Sequence, residues 1–159
     1  MTLYFAYGSN MSRAAMARRC PTAHALGVAT LAGWRFRITT DGFASIARAA
    51  GGKVIGVLWQ LSPRDLAALN AYESLDSGLY VRRQIMVRHG SAARSAMVYI
   101  ARATGDGRPQ PRYIGGRYME SIIAAAREWR MPAAYIGALQ RWSPSTLRAM
   151  RATGINEIA

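Results

Sequence analysis

Apolar residues crowd the start of the chain, in Leu3-Tyr4-Phe5-Ala6-Tyr7, and stop abruptly at Gly8-Ser9-Asn10. This run predicts a strand from Leu3 to Tyr7 that ends in a small polar turn. Two more strands are predicted over Ala25 to Leu31 and Trp34 to Thr39, paired around Ala32-Gly33, with a weaker one over Ala44 to Ala49. Lys53 to Leu61 (KVIGVLWQL) is almost continuously apolar, the pattern of a central strand. Tyr80 to His89 and Arg94 to Ala101 flank Gly90-Ser91 and read as a hairpin. A first helix is predicted from Ser12 to Arg19. A second begins at Ser62-Pro63-Arg64-Asp65, where Ser62 caps, Pro63 fits the first helical position and Asp65 completes a capping box. It carries Leu66 and Leu69 inward and ends near Ala71. A long helix is predicted from Pro111 to Trp129, with Ile114, Tyr118, Ile122 and Ala125 as its apolar stripe, and a short one follows Pro132 with Tyr135, Leu139 and Trp142. From Ser143 the chain is basic and no element is assigned. The expectation is one domain, residues 1–159, with its core over about 3–142 and a basic tail over 143–159. Its class is α+β or a small mixed β-barrel, with strands dominating the first two thirds.

Composition narrows the classes. The 159 residues are 51% apolar, enough to bury a core in one domain. No apolar run reaches the length of a membrane span, and the start lacks the basic-then-apolar pattern of a signal peptide. A cytoplasmic enzyme or binding module, without membrane association, is expected. The single cysteine, Cys20, has no internal disulfide partner. Pro21 breaks any helix that would set Cys20 beside His24, so Cys20 reads as a buried inert thiol. With only His89 besides, no metal site is expected. Gly105-x-Gly107 is flanked by Pro109 and Pro111 and lacks a surrounding βαβ unit, which excludes a dinucleotide loop.

The formal net charge of +13 raises the question of nucleic acid. The basic residues are nearly all arginine and are spread along the chain, with Arg18-Arg19 and Arg82-Arg83 the adjacent pairs. No recognition motif accompanies them. The charge reads mainly as a solvated surface that attracts anionic substrates, with nucleic-acid binding kept as a minor alternative.

Two places carry candidate chemistry. A glycine turn at a helix start leaves backbone N–H groups that suit a carboxylate or an oxyanion. Gly8 permits positive φ, and Ser9 and Asn10 can cap the first helix. The same residues also fit an ordinary turn and cap. The second place emerges from the eight acidic residues. Asp65 belongs to its cap, Glu120 and Glu128 can pair with arginines on their helix, Glu157 is in the tail, and Asp41 and Asp106 lie in turns. Glu73 and Asp76 remain. Glu73 ends a helix, where the macrodipole disfavours a carboxylate and raises its pKa. It is either an exposed loop glutamate or a general base.

Tyr4-Phe5-Ala6-Tyr7-Gly8-Ser9-Asn10-Met11 resembles the opening signature of the γ-glutamylcyclotransferase (AIG2-like) family. Leu69-x-x-x-Glu73-x-x-x-Ser77-Gly78-x-Tyr80 resembles the segment that carries that family's catalytic glutamate. Pro109-Gln110-Pro111-Arg112-Tyr113 is similar to its Pro-x-Pro-x-Tyr element. The order and approximate spacing match, and with the strand pattern the resemblance covers about residues 3–142. The Gly-Ser-Asn form of the loop is more similar to γ-glutamylcyclotransferases and γ-glutamylamine cyclotransferases than to the glutathione-specific branch. The resemblance implies an α+β fold, a compact mixed β-barrel with flanking helices and a cavity at its mouth. It implies release of 5-oxoproline from a γ-glutamyl amide, with neither metal nor organic cofactor. It makes Glu73 the acid/base, Tyr4, Phe5, Ala6, Tyr7, Gly8 and Ser9 the substrate loop, and Tyr113 a further binding residue. Asn10 and Tyr80 are expected to support loop and pocket. Ser9 has no Gly-x-Ser-x-Gly context, so it takes a binding role rather than that of a nucleophile. A non-catalytic small-molecule module on the same fold would instead bind without turnover. The leaving amine and the oligomeric state are not set by the sequence.

Overall fold

The computed structural model describes residues 1–73, 78–102 and 116–153. Five strands close into a barrel in the order β1-β3-β2-β4-β5, as the resemblance implies. They are β1 (Thr2–Ala6), β2 (His24–Ile38), β3 (Ala44–Leu61), β4 (Tyr80–His89) and β5 (Ala92–Ala101). All junctions are antiparallel except β1 with β5, where Tyr4 faces Met97 in a parallel pairing that closes the barrel. Five α-helices flank it among the described residues: α1 (Arg13–Arg19), α2 (Pro63–Tyr72), α3 (Gly116–Glu128), α4 (Ala133–Gln140) and α5 (Pro144–Ala152).

The predicted turn at Ala32-Gly33 is a correction. β2 runs through it as one strand, because Gly33 takes φ 78° and the register shifts between Ala32 and Trp34 without reversing the chain. On the opposite strand the two predicted segments are likewise one, β3, with Ala32 paired to Lys53 and Trp34 to Arg48. Two long strands therefore bend together, and the reversal comes at residues 39–43. There the Thr39 N–H donates to the Phe43 carbonyl (2.8 Å), and the Phe43 N–H donates to Thr39 Oγ1 (3.1 Å). The apolar Lys53–Leu61 stretch is central, as its composition suggests: it pairs with β1 on one side and β2 on the other. Gly56 makes the β1 contact possible. A Cβ there would lie 2.2 Å from the Ala6 carbonyl oxygen and 2.8 Å from the Phe5 ring.

The helices dock by their apolar faces. Met119, Ile122, Ala125 and Ala126 of α3 are buried, and Trp129 Nε1 donates to the Met11 carbonyl at 2.7 Å, tying the end of α3 to the loop after β1. Ile114 and Gly115, placed in this helix by the pattern, lie outside the described residues. The unassigned stretch after Ser143 contains α5, which buries Leu147. At α2 the capping box forms as expected. Asp65 also accepts from the Thr22 hydroxyl (2.6 Å), which pins α2 to the segment after α1. Burial pushes its carboxyl up, but the donors of Thr22 and Ser62 outweigh burial and hold it below the usual range.

Candidate active site

β1 delivers the polar turn directly to one end of the barrel. Ser9, Asn10 and Met11 form a single 3₁₀ turn, and Ser12, not Ser9 or Asn10, caps α1 by accepting from the Ala15 N–H at 3.2 Å. The expected capping role of Ser9 and Asn10 is therefore corrected, and their side chains are left for the site. Gly8 has φ −118°, so positive φ is not what it supplies. Its bare α-carbon lies where a side chain would project toward Ala44 and the Tyr118 hydroxyl.

Across from the turn stands Glu73, the C-terminal residue that closes α2, with its N–H donating to the Leu69 carbonyl at 2.8 Å. The capped, buried start of α2 fixes this helix, and the helix fixes Glu73. Asn10 Nδ2 donates to Glu73 Oε1 (3.0 Å) and to the Tyr4 hydroxyl (3.0 Å). The orientation of the Asn10 amide is set from its other end, because Arg19 Nη1 donates to Asn10 Oδ1. Arg19 also donates to the Tyr72 hydroxyl (2.7 Å) and lies 3.9 Å over the Tyr72 ring. Burial raises the Glu73 carboxyl to about 7, and the Arg19 charge and the Asn10 hydrogen bond pull the other way without reversing it. The direction is the one read from the helix terminus. The dominant cause is desolvation, which the helix-end argument did not include.

Glu73 and the turn line one cavity of about 380 Å³, together with Tyr4, Tyr7, Tyr80 and other aromatic residues. Among the described residues six tyrosines line it: Tyr4, Tyr7, Tyr72, Tyr80, Tyr99 and Tyr118. Most spend their hydroxyls on the scaffold. Tyr7 donates to the Tyr99 carbonyl (2.6 Å), and Tyr99 donates to Asn70 Oδ1 (2.7 Å). Tyr80 donates to the Ala44 carbonyl (3.2 Å), while Tyr118 accepts from the Ala44 N–H (3.0 Å). Burial keeps these phenols neutral: Tyr118 is pushed up to about 12, and Tyr4 and Tyr7 rise well above the usual range. Among the described residues the cavity is thus an aromatic cage with one carboxyl, that of Glu73, in its wall.

Of the residues singled out in the sequence, Tyr4, Tyr7, Gly8, Ser9, Asn10, Glu73 and Tyr80 meet at this cavity. Phe5 and Ala6 do not line it; both are buried, Phe5 against Gly56. Tyr113 and Asp76 lie outside the described residues. Arg19, Tyr72, Tyr99 and Tyr118 were not singled out. The composition held one signal for the tyrosines, eight of them against three phenylalanines, since buried hydroxyls need partners. Cys20 is buried and its thiol is raised to about 11, mainly by desolvation, which suits the inert role expected of it. Among the described residues no cluster of His, Cys, Asp and Glu could hold a metal ion, and no helix is long and apolar enough to cross a membrane.

The model of the family described as gamma-glutamyl cyclotransferase, AIG2-like, matches residues 4–120, a span that includes both walls of the cavity. Human gamma-glutamylcyclotransferase is 27% identical over 154 residues, covering 90% of this chain and 79% of the human protein. The mouse protein of the same name is 28% identical over 155 residues, with the same coverage. A solved structure of a gamma-glutamyl cyclotransferase superposes with a TM-score of 0.76 at 26% identity, covering 87% of this chain and 86% of that one. The family match over most of the chain and the superposed fold agree: the chain belongs to the AIG2-like gamma-glutamyl cyclotransferase family.

Proposed function

We propose that the protein is an enzyme that cyclises the γ-glutamyl group of a small amide, releasing 5-oxoproline and a free amine, with Glu73 as the acid/base. The observation that carries this reading is the Glu73 carboxyl, raised to about 7, in the same cavity wall system as the Gly8-Ser9 turn. A cavity of about 380 Å³ suits a small molecule.

The substrate supplies its own nucleophile. Its α-amine attacks its γ-carbonyl carbon and closes a five-membered ring. Such an intramolecular attack reaches effective molarities of roughly 10⁵–10⁸ M when the geometry is held. The aromatic cage holds the glutamyl chain folded. Glu73, as carboxylate, takes the proton that the α-ammonium must lose. The new C–N bond forms and the γ-carbonyl oxygen becomes negative. Glu73 gives its proton to the leaving nitrogen, and the carbonyl re-forms as the amide C–N bond breaks. The ring nitrogen passes its second proton through Glu73 to the departing amine, which leaves as an ammonium ion. Protons and electron pairs balance with no water consumed. A carboxyl with a pKa near neutrality serves both half-steps, and acid–base catalysis of this kind contributes about 10²–10⁴-fold. By the geometry of a 3₁₀ start, the first N–H groups of the Ser9–Met11 turn have no partner within the turn, and they serve the negative oxygens of the substrate. Asn10, clamped by Arg19, holds the Glu73 carboxyl in line.

The test is a panel of γ-glutamyl dipeptides and γ-glutamyl amines, with 5-oxoproline measured by chromatography. Glu73→Gln keeps an acceptor for Asn10 and is expected to lose turnover while folding normally. Full turnover in that variant would remove Glu73 from the chemistry and direct attention to Asp76.

A further inference from the structure

Three large apolar side chains stand exposed at the cavity: Phe43 at 40%, Tyr72 at 49% and Leu79 at 45%. Only Met1, Leu26 and Met86 are comparable among the described residues, so half of the exposed large hydrophobic side chains gather at one small opening. Grouped exposed apolar side chains beside a cavity mark a binding surface. Phe43 in particular is held, not loose. Its backbone N–H and carbonyl are both tied to Thr39, and its ring meets Tyr80 edge-on at 6.4 Å. Presenting a ring to solvent from a hydrogen-bonded turn is unfavourable unless something covers it.

The polar groups of the cavity lie elsewhere. Asn10, Ser9 and Glu73 cluster around the turn, and they are what the amine, carboxylate and carbonyl of a γ-glutamyl group require. Glu73 is also the one ionisable acid, and no arginine or lysine belongs to the lining among the described residues. Arg19 lies 3.9 Å over the Tyr72 ring, with its guanidinium engaged by Asn10, Tyr72 and Ser9. With those donors engaged, the described mouth offers a leaving group mainly aromatic and aliphatic carbon. The global positive charge of the chain does not alter this, because a distant charge is screened by salt within about 10 Å.

Building on the cyclotransferase reading, we infer that the leaving amine of the preferred substrate carries an apolar or aromatic substituent, seated at the mouth against Phe43, Tyr72 and Leu79. The site thereby selects γ-glutamyl amides of hydrophobic amines over γ-glutamyl derivatives of small or acidic amino acids.

The experiment compares kcat/KM of the full chain for γ-glutamylphenethylamine, γ-glutamylglycine and γ-glutamylaspartate. The phenethylamine derivative is expected to lead by at least about 10-fold, the scale on which a hydrophobic pocket discriminates. Phe43→Ser and Leu79→Ser, each verified as folded by circular dichroism, are expected to shrink that ratio mainly through KM. Equal or better turnover of the glycine or aspartate derivative overturns the inference, as does a ratio unchanged in both variants. Binding of the same three compounds to Glu73→Gln by calorimetry separates the two proposals. If no compound yields 5-oxoproline, the cyclotransferase reading fails. The apolar preference is then upheld by tighter binding of the phenethylamine derivative and overturned by its loss.

Discussion

Replacing Glu73 with Gln is expected to make the protein more stable above neutral pH, whatever it does to turnover. The carboxyl is raised from 4.5 to about 7 by burial. At about 1.36 kcal/mol per pKa unit, holding the ionised form in the folded cavity costs about 3 kcal/mol relative to the protonated form. The sign follows from the folded state binding the proton more tightly than the unfolded chain. The favourable balance is fully present below pH 4.5, where the group is neutral in both states. It is lost as pH rises through about 7, where the group is charged in both. Gln mimics the protonated acid at every pH. The stability difference, variant minus wild type, is therefore flat below pH 4.5, climbs by about 3 kcal/mol up to pH 7, and is flat again above. At roughly 2–4 °C per kcal/mol for a chain of this size, the thermal midpoints separate by about 6–12 °C. Urea or thermal unfolding of both proteins at steps from pH 4 to 9 reads this directly, and the difference cancels the pH dependence of the many arginines. Parallel curves, with no pH-dependent separation, would refute a desolvated carboxyl in this wall.

Three further outcomes are expected. Arg19→Met removes the cation that lowers the Glu73 pKa and the donor that orients Asn10, so the acidic limb of the kcat/KM–pH profile moves above about 7; Arg19→Lys restores part of the shift, and an unmoved limb in both variants counts against the relay. Gly56→Ala forces a Cβ to 2.2 Å from the Ala6 carbonyl oxygen and is expected to destabilise by about 3 kcal/mol or more, measured by urea unfolding; a wild-type midpoint would contradict the close β1–β3 approach. The buried Cys20 thiol, raised to about 11, is expected to resist Ellman's reagent in the native protein at pH 8 and to react at once in urea; fast native reaction would show that the thiol is reachable.

The two pieces of the candidate site were legible because each is local. Tyr7-Gly8-Ser9-Asn10 and the capped helix ending at Glu73 each announce themselves within a dozen residues, and the barrel brings them together. What sequence could not supply was the reason for the Glu73 shift: a helix end is visible in sequence, but desolvation depends on who else surrounds the carboxyl. Tyr99 and Tyr118 were absorbed into a strand and a helix stripe, because periodicity assigns a face and not the space that face encloses. Arg19 read as half of a basic pair; its contacts with Asn10 and Tyr72 come from α1 and α2 meeting in space. Gly33 reads in sequence as a chain reversal, since a bulge and a turn use the same residue.

The parallel seam between β1 and β5 has a kinetic consequence. β2 with β3, and β4 with β5, are neighbours in the chain and can pair early. β1 cannot: its partners are residues 57–61 and Met97, so the first strand made is the last to find its place. Tyr4, the polar turn and the Asn10 clamp on Glu73 all ride on that strand or follow it directly. Assembly of the cavity then coincides with barrel closure. In refolding from urea, recovery of ligand binding is expected to lag behind recovery of far-ultraviolet circular dichroism, and coincident recovery would show that β1 docks early. A chain with β1 undocked would keep most of its secondary structure and have no site, which makes activity a reporter of complete folding.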